Sequence, residues 1–289
     1  MRKNTSKPLR ILVTGASSGI GYDAAAELAR MGHTVFAAAR RVALMEPLKE
    51  FGVTPVALDV TSEESLKACL EVVGDLDVLV NNAGYGYFGP IETVPMEDAR
   101  RQVEVNLFGL ARLCQMVLPG MRAKGSGRIV NIGSVAGKAA MHFGGWYNVS
   151  KFAVEAFSDA LRMEMKPFGV KVVLIEPGPI KTSWGDIAAD HLAACTAGTA
   201  YEAAGALEAA TMHKAYSLRV LSAPSVVTRC IVKAAVARRP RTRYRPGIGA
   251  SHIVFWHALL PDRWWDAMNR QLASPGLAKF AQKLWGFGR

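Results

Sequence analysis

Short apolar runs alternate with longer amphipathic stretches through the first two thirds of the chain. This alternation restricts the fold more than any other feature. Arg10-Ile11-Leu12-Val13-Thr14 is the first such run, and His33 to Ala39, Val53 to Leu58, Asp77 to Val80, Gly127 to Ile132 and Val170 to Ile175 follow it. Helical patterns fill the intervals at 19–31, 41–51, 62–73, 96–123 and 146–168. Thr61 is the expected cap of the third of these, with Glu64 three residues on. Strands that are apolar throughout are buried on both faces. Their alternation with helices predicts the α/β class, with a doubly wound parallel sheet, right-handed crossovers and helices on both faces. Such sheets bind ligands beyond the carboxyl ends of their strands. That places Gly15, Arg40, Asp59, Asn81, Ser134 and Pro177 where a site is expected.

With 289 residues and half of them hydrophobic, the chain supports a full core and is not a disordered protein. No linker divides it. The expected organisation is a flexible basic terminus at 1–8, one domain at 9–250 and a helical extension of that domain at 251–289. No apolar run approaches the ~20 residues of a membrane span. Arg2, Lys3 and Lys7 precede no apolar segment, so a secretory signal is not expected. Cys69, Cys114, Cys195 and Cys230 are scattered without metal spacing and read as reduced thiols. A cytoplasmic protein without a bound metal is the expectation. The net charge of +11 is concentrated at Arg2 to Arg10 and Arg238 to Arg245. It suits a basic rim, an anionic cofactor or an anionic membrane surface. No nucleic-acid motif accompanies it.

Gly15-Ala16-Ser17-Ser18-Gly19-Ile20-Gly21 joins the first strand to the first helix. Glycines there permit a tight turn and close approach of a pyrophosphate to the helix N-terminus. Nicotinamide-dinucleotide folds carry an acidic residue about 20 positions on, which holds the ribose 2′-hydroxyl. Here Arg40 ends the second strand and Arg41 follows. A guanidinium binds a 2′-phosphate that a carboxylate would repel. The preferred cofactor is therefore NADP(H), with NAD(H) second; an ordinary basic loop is the plain alternative. Asp59-Val60 can meet the adenine amino group or cap the next helix. Asn82-Ala83-Gly84 lets backbone approach the cofactor or forms a simple turn.

Tyr147 and Lys151 stand four residues apart, hence on one face of a helix. A nearby ammonium favours the phenolate and draws down a phenol pKa of about 10. A Tyr tuned in that way exchanges a proton with an alcohol or carbonyl oxygen. Alone, the pair reads as two residues of an amphipathic helix. Together with TGASSGIG, Asp59-Val60, NNAG, Asn106, Ser134 and PGPIKT at 177–182, it forms an ordered set. That set resembles the short-chain dehydrogenase/reductase family from about residue 9 to 182, and the C-terminal part resembles its hydroxysteroid and retinol dehydrogenase-like branch.

The resemblance implies a Rossmann-type fold and a set of roles. Tyr147 would be the acid or base, and Lys151 would lower its pKa and bond the nicotinamide ribose. Ser134 would bond the substrate oxygen, and Asn106 would hold a relay water. Pro177 and Gly178 would touch the nicotinamide, with Ile180 and Thr182 bonding its carboxamide. Homodimers or homotetramers through 96–123 and 146–168 are implied as well.

Residues 183–225 lack a clear strand and are expected to form a one- or two-helix lid. Tyr85, Tyr87, Phe88, Val135, Met141, His142, Phe143 and Trp184 flank the expected site. Of these, Tyr85, Met141, Phe143 and Trp184, with Ser134 and Tyr147, are the candidate substrate contacts. Apolar, aromatic walls suit a steroid-, retinoid- or lipid-like carbonyl or alcohol. A 3-oxoacyl-thioester reductase is the enzymatic alternative. A non-catalytic dinucleotide-sensing protein is the alternative from another class. A last strand is expected at 242–245. The basic, Trp-rich tail from Ser251 suits a helical hairpin on the lid, an oligomer contact or weak contact with a membrane surface.

Overall fold

A computed structural model describes residues 7–217 and 221–272. Residues 1–6 of the expected basic terminus and 273–289 of the expected extension lie outside the described residues. Among the described residues, seven strands form one sheet in the order β3-β2-β1-β4-β5-β6-β7. They are β1 (Arg10–Thr14), β2 (Thr34–Ala39), β3 (Thr54–Ala57), β4 (Val78–Asn81), β5 (Gly127–Ile132), β6 (Val170–Ile175) and β7 (Arg243–Tyr244). Every neighbouring pair is parallel. The alternating pleat divides the core. Ile11, Val13, Val35, Val80 and Val130 face one way, against α1 (Gly19–Arg30) and α8 (Ser225–Val236). Leu12, Phe36, Leu79 and Ile129 face α2 (Glu63–Val73), α4 (Leu110–Ala123) and α5 (Gly145–Met165) on the other side. Each fully buried Leu or Ile contributes about 1.5–3 kcal/mol, which is why the strands are apolar on both faces.

Sequence and structure part company in a few places. The stretch Val42–Phe51 winds as a 3-10 helix, because Pro47 lacks an N–H and its ring clashes with the carbonyl four residues back. Ser62, not Thr61, caps α2; its hydroxyl accepts from the Ser65 N–H at 3.2 Å. Thr61 instead donates its N–H and hydroxyl to Asp59. The long pattern 96–123 is α3 (Met96–Val103), a π turn at Glu104–Gly109 and α4. The wide turn carries Asn106 inward, where it is 1 % exposed.

The segment after β6 forms two helices, α6 (Trp184–Thr196) and α7 (Glu202–Ser217), which pack on each other above the carboxyl ends of β5 and β6. The last strand is limited to two residues. α9 (Ala250–Leu259) and α10 (Asp262–Leu272) follow. The Trp265 indole N–H donates to the Ala140 carbonyl at 3.3 Å, so α10 braces the loop that follows Ser134. Among the described residues no helix is long and apolar enough to cross a membrane.

Candidate active site

The strand order reverses between β1 and β4, and the expected cofactor loop lies at that switch. Asn82 buttresses it. Its side-chain amide donates to the Thr14 and Gly15 carbonyls at 3.0 and 3.1 Å. Thr14 accepts the Asn82 and Ala83 N–H groups, both at 3.0 Å. A Cβ on Gly21 would collide with the Asn82 amide and the Gly15 carbonyl, so the first turn of α1 sits hard against the loop. Ser18, the residue before α1, makes no side-chain cap, which leaves the helix N–H groups facing outward beside Ser17, Gly19 and Ile20. That cradle fits a pyrophosphate. Arg40 and Arg41 are exposed beyond it, and Arg41 donates to the Ser17 hydroxyl at 3.5 Å. The Asp59 carboxyl is held below its ordinary range; burial opposes this, while Thr61 and the charges of Arg40 and Arg101 bring it about. The helix-entry role of Asp59 is thus visible, and Val60 lies buried next to it.

Ser134 opens a short turn at Val135–Gly137 by accepting the Ala136 N–H at 3.1 Å. Tyr147 and Lys151 project from α5 at 7 % exposure each, with the Lys151 nitrogen 5.9 Å from the Tyr147 ring centre. The expected fall of the Tyr147 pKa is reversed. Burial pushes it up to about 12, and the Ser134 hydroxyl offsets only part of the rise. Burial also brings Lys151 down to about 8, against the charge of Glu155. Lys151 donates to the Ile132 carbonyl at 2.9 Å. Burial is therefore the main influence on both groups. The Asn106 side chain makes three hydrogen bonds. It accepts from the Tyr85 N–H at 3.0 Å and donates to the Tyr85 carbonyl at 2.9 Å and the Ser150 hydroxyl at 3.0 Å. Ser150 in turn donates to the Tyr147 carbonyl at 2.7 Å. Asn106 thus ties the loop after NNAG to α5.

Phe88, Phe143, Tyr147 and Trp184 close into an apolar cluster with Met141 packed on it. The Trp184 ring lies 5.2 Å from that of Tyr147 and stands edge-on to Phe88 at 5.7 Å. Tyr85, whose backbone pairs with Asn106, is outside that cluster, half-buried within reach of the charges of Arg101, Asp98 and Arg40. Pro177 accepts the Val135 N–H at 3.0 Å, which seats the 177–182 turn on the Ser134 turn. Gly178 packs on Ala250, Ile180 is buried, and Thr182 accepts the first N–H of the lid helix, that of Trp184, at 3.3 Å.

Three residues that support this arrangement escaped the sequence reading. Buried Asn148 donates to the Ala136 and Ala139 carbonyls at 2.7 and 3.0 Å and accepts the Met141 N–H at 3.1 Å. Buried Gln102 accepts the Tyr87 N–H at 2.6 Å. Glu155 is buried below Lys151. The signal for Asn148 was its place between Tyr147 and Lys151, where an amide on the buried face of a helix demands partners.

The short chain dehydrogenase family model matches residues 10–191. A 3-ketodihydrosphingosine reductase of Bacteroides thetaiotaomicron is 40% identical over 185 residues, 62% of this chain and 67% of that one. Retinol dehydrogenase 8 of Bos taurus is 32% identical over 307 residues, 96% of this chain and 98% of that one. Among solved structures, the closed form of a serine dehydrogenase complexed with NADP+ superposes with a TM-score of 0.71 at 27% identity, covering 82% of this chain and 94% of that one.

Proposed function

Because the chain belongs to the short-chain dehydrogenase/reductase family, we propose that it is an NADP(H)-dependent oxidoreductase interconverting a hydrophobic carbonyl compound and its secondary alcohol. The observation that carries this reading is the meeting of Ser134, Tyr147 and Lys151 under an aromatic roof, beside a loop shaped for a pyrophosphate. The nicotinamide supplies or accepts hydride when bound.

The chain's own residues do the rest. Ser134 and Tyr147 hold the substrate oxygen, and Tyr147 donates its proton to it during reduction. A phenol that stays protonated to about 12 is ready for that direction. Lys151 supports Tyr147 and reaches the ribose. Gly15, Ser17, Ser18, Gly19, Ile20 and Gly21 hold the pyrophosphate, with Asp59, Val60, Asn82, Ala83 and Gly84 along the adenosine half. Pro177, Gly178, Ile180 and Thr182 form the nicotinamide end. Phe143, Met141 and Trp184 exclude water from the reacting carbon.

Arg40 supports the choice of NADP(H), as does the NADP+ held by the solved serine dehydrogenase. The apolar roof supports a lipid-like substrate, as do two relatives named for retinol and 3-ketodihydrosphingosine. We place the enzyme in the cytoplasm. The test compares kcat/KM for NADPH and NADH across retinal, a steroid ketone, a long-chain ketone and an acetoacetyl thioester. NADPH and one of the first three substrates are expected to lead. Arg40→Asp should lower kcat/KM for NADPH by about tenfold or more, since one charged phosphate contact is worth roughly 1.5–3 kcal/mol. Preference for NADH would overturn the cofactor assignment, and thioester-only turnover the substrate class.

A further inference from the structure

Below the catalytic pair lies a knot of charge that the reaction outlined above does not use. Glu155 follows Lys151 by one helical turn, on the same face of α5, and is 4 % exposed. Lys138, which closes the Ser134 turn, pairs with its carboxylate at 2.7 Å. Arg243 of β7 reaches the same oxygen at 3.3 Å, Asp159 at 2.6 Å and Glu176 at 2.8 Å. Arg245 caps the knot on Glu176. The second Glu155 oxygen, Oε1, is buried without a hydrogen-bond partner. It lies against Gly133, the residue after the Ile132 carbonyl that Lys151 holds. A Cβ on Gly137 would stand 2.7 Å from the Lys151 carbonyl and 2.9 Å from Glu155 Cγ. The Ser134 turn is therefore pressed directly onto the Lys151–Glu155 stretch of the helix.

We propose that Glu155 is a positioning residue of the active site: its buried carboxylate keeps Lys151 charged and, through Lys138, fixes the turn that carries Ser134. This rests on the reading of Tyr147, Ser134 and Lys151 given above. Lys151 donates to a neutral carbonyl, so its charge needs an anion nearby in the same dry region. The charged and titratable groups around the two are Tyr147 and Asp159 on α5, Lys138 after the Ser134 turn, Glu176 after β6, and Arg243 and Arg245 at β7. Burial lowers Lys151 and Glu155 opposes that fall. Glu155 is itself raised, first by burial and then by Glu176, with Lys138 and Arg243 acting the other way. A knot that merely pinned β7 to α5 would not require the unpartnered oxygen to face the Lys151 segment.

The test is a direct titration of Lys151 in the full-length, cofactor-free protein labelled with 13Cε-lysine. The signal is identified by its loss in Lys151→Met. Glu155→Gln keeps the shape and removes the charge. It should move the Lys151 midpoint down by about one unit, a roughly tenfold change in its acid constant. Glu155→Asp keeps the charge and should stay near the wild-type midpoint. Wild-type protein supplies a reading that needs no variant: the Lys151 signal should show a second, smaller inflection at the pH where the Glu155 carboxyl titrates. A folded Glu155→Gln protein with an unmoved midpoint overturns the proposal even if its thermal stability falls. If that variant does not fold, absence of the second inflection in wild type overturns it. The titration involves no turnover, so its failure leaves the oxidoreductase reading standing, and failure of the substrate panel leaves the titration interpretable.

Discussion

Tyr147 and Lys151 show how far burial governs a side chain's chemistry. On an exposed helix the ammonium would set the phenol's acidity; at 7 % exposure each, desolvation keeps the proton on Tyr147 and weakens its hold on Lys151. Tyr147→Phe removes the proton donor and leaves the ring packing on Trp184. It should cut kcat by at least about a hundredfold, the lower range for a general acid, while the Kd for NADPH by fluorescence titration changes little. A near-normal rate would exclude Tyr147 as the donor. Lys151 also affects stability. Its pKa is about 8 in the folded chain against the ordinary lysine value of 10.5. Between those values the unfolded chain binds more protons, so stability rises with pH across that window, and below it the full penalty applies. That penalty is on the order of 3 kcal/mol. Lys151→Met should therefore stabilise the cofactor-free protein at pH 7 while abolishing turnover, with the gain fading as pH climbs from 8 towards 10.5. Urea unfolding at a series of pH values measures the gap. A less stable Lys151→Met protein at pH 7 would mean that the bond to the Ile132 carbonyl outweighs the cost of burial.

At the scale of the element, α6 and α7 cover the candidate active site. α6 begins at Trp184, whose indole covers Tyr147, and two polar contacts hold α7 down. His142 Nδ1 meets Glu208 at 2.6 Å, and the Tyr201 hydroxyl donates to Glu92 at 2.6 Å. Phe143, beside His142, has a φ of 53°, a left-handed conformation unusual for an aromatic residue, and it is held there by packing against the lid residue Tyr201. Gly86 provides the notch for Trp184. A Cβ there would run into the indole. Gly86→Ala should displace Trp184 from the phenol with little effect on the sheet. Overpacking of this kind costs about 1–3 kcal/mol, so KM for the carbonyl substrate should rise roughly tenfold while KM for NADPH holds. Tryptophan fluorescence should report a wetter indole. Equal loss for both substrates would place Trp184 in general packing instead. That helices follow β6 was legible in the sequence, because an Ala-rich, strandless stretch has few other folds open to it. The contact between His142 and Glu208 was not, since the two are 66 residues apart and nothing in the sequence pairs them.

At the scale of the molecule, legibility followed the kind of force involved. β5 and β6 begin and end where the apolar runs do, because hydrophobic burial is written residue by residue. Buried polar partners were less legible. Ser62 and Thr61 are adjacent hydroxyls, and only the path of the chain decides which one caps. Asn148 bonds the loop just before its own helix, whereas Glu155 meets Arg243 from the far end of the sheet, and neither pairing is marked in the sequence. The same distinction bears on assembly. Met96, Phe108, Val149, Phe152 and Met163 are 50, 55, 51, 42 and 67 % exposed along α3, the π turn and α5. Met96, Phe108, Trp146 and Val149 line a groove of about 460 Å3 there. Burying each of these side chains against a second copy would contribute about 1.5–3 kcal/mol, and a two-fold contact would pair the same face with itself. A homodimer through these helices is thus the expected assembly. Phe108→Glu would place two carboxylates in that apolar contact and should shift the protein to monomer at micromolar concentration in sedimentation velocity runs. Because α5 carries Tyr147 and Lys151, the monomer should also lose part of its kcat, with secondary structure by circular dichroism unchanged. A Phe108→Glu protein that sediments with the wild-type coefficient would move the interface away from α5, and with it the expected coupling between assembly and turnover.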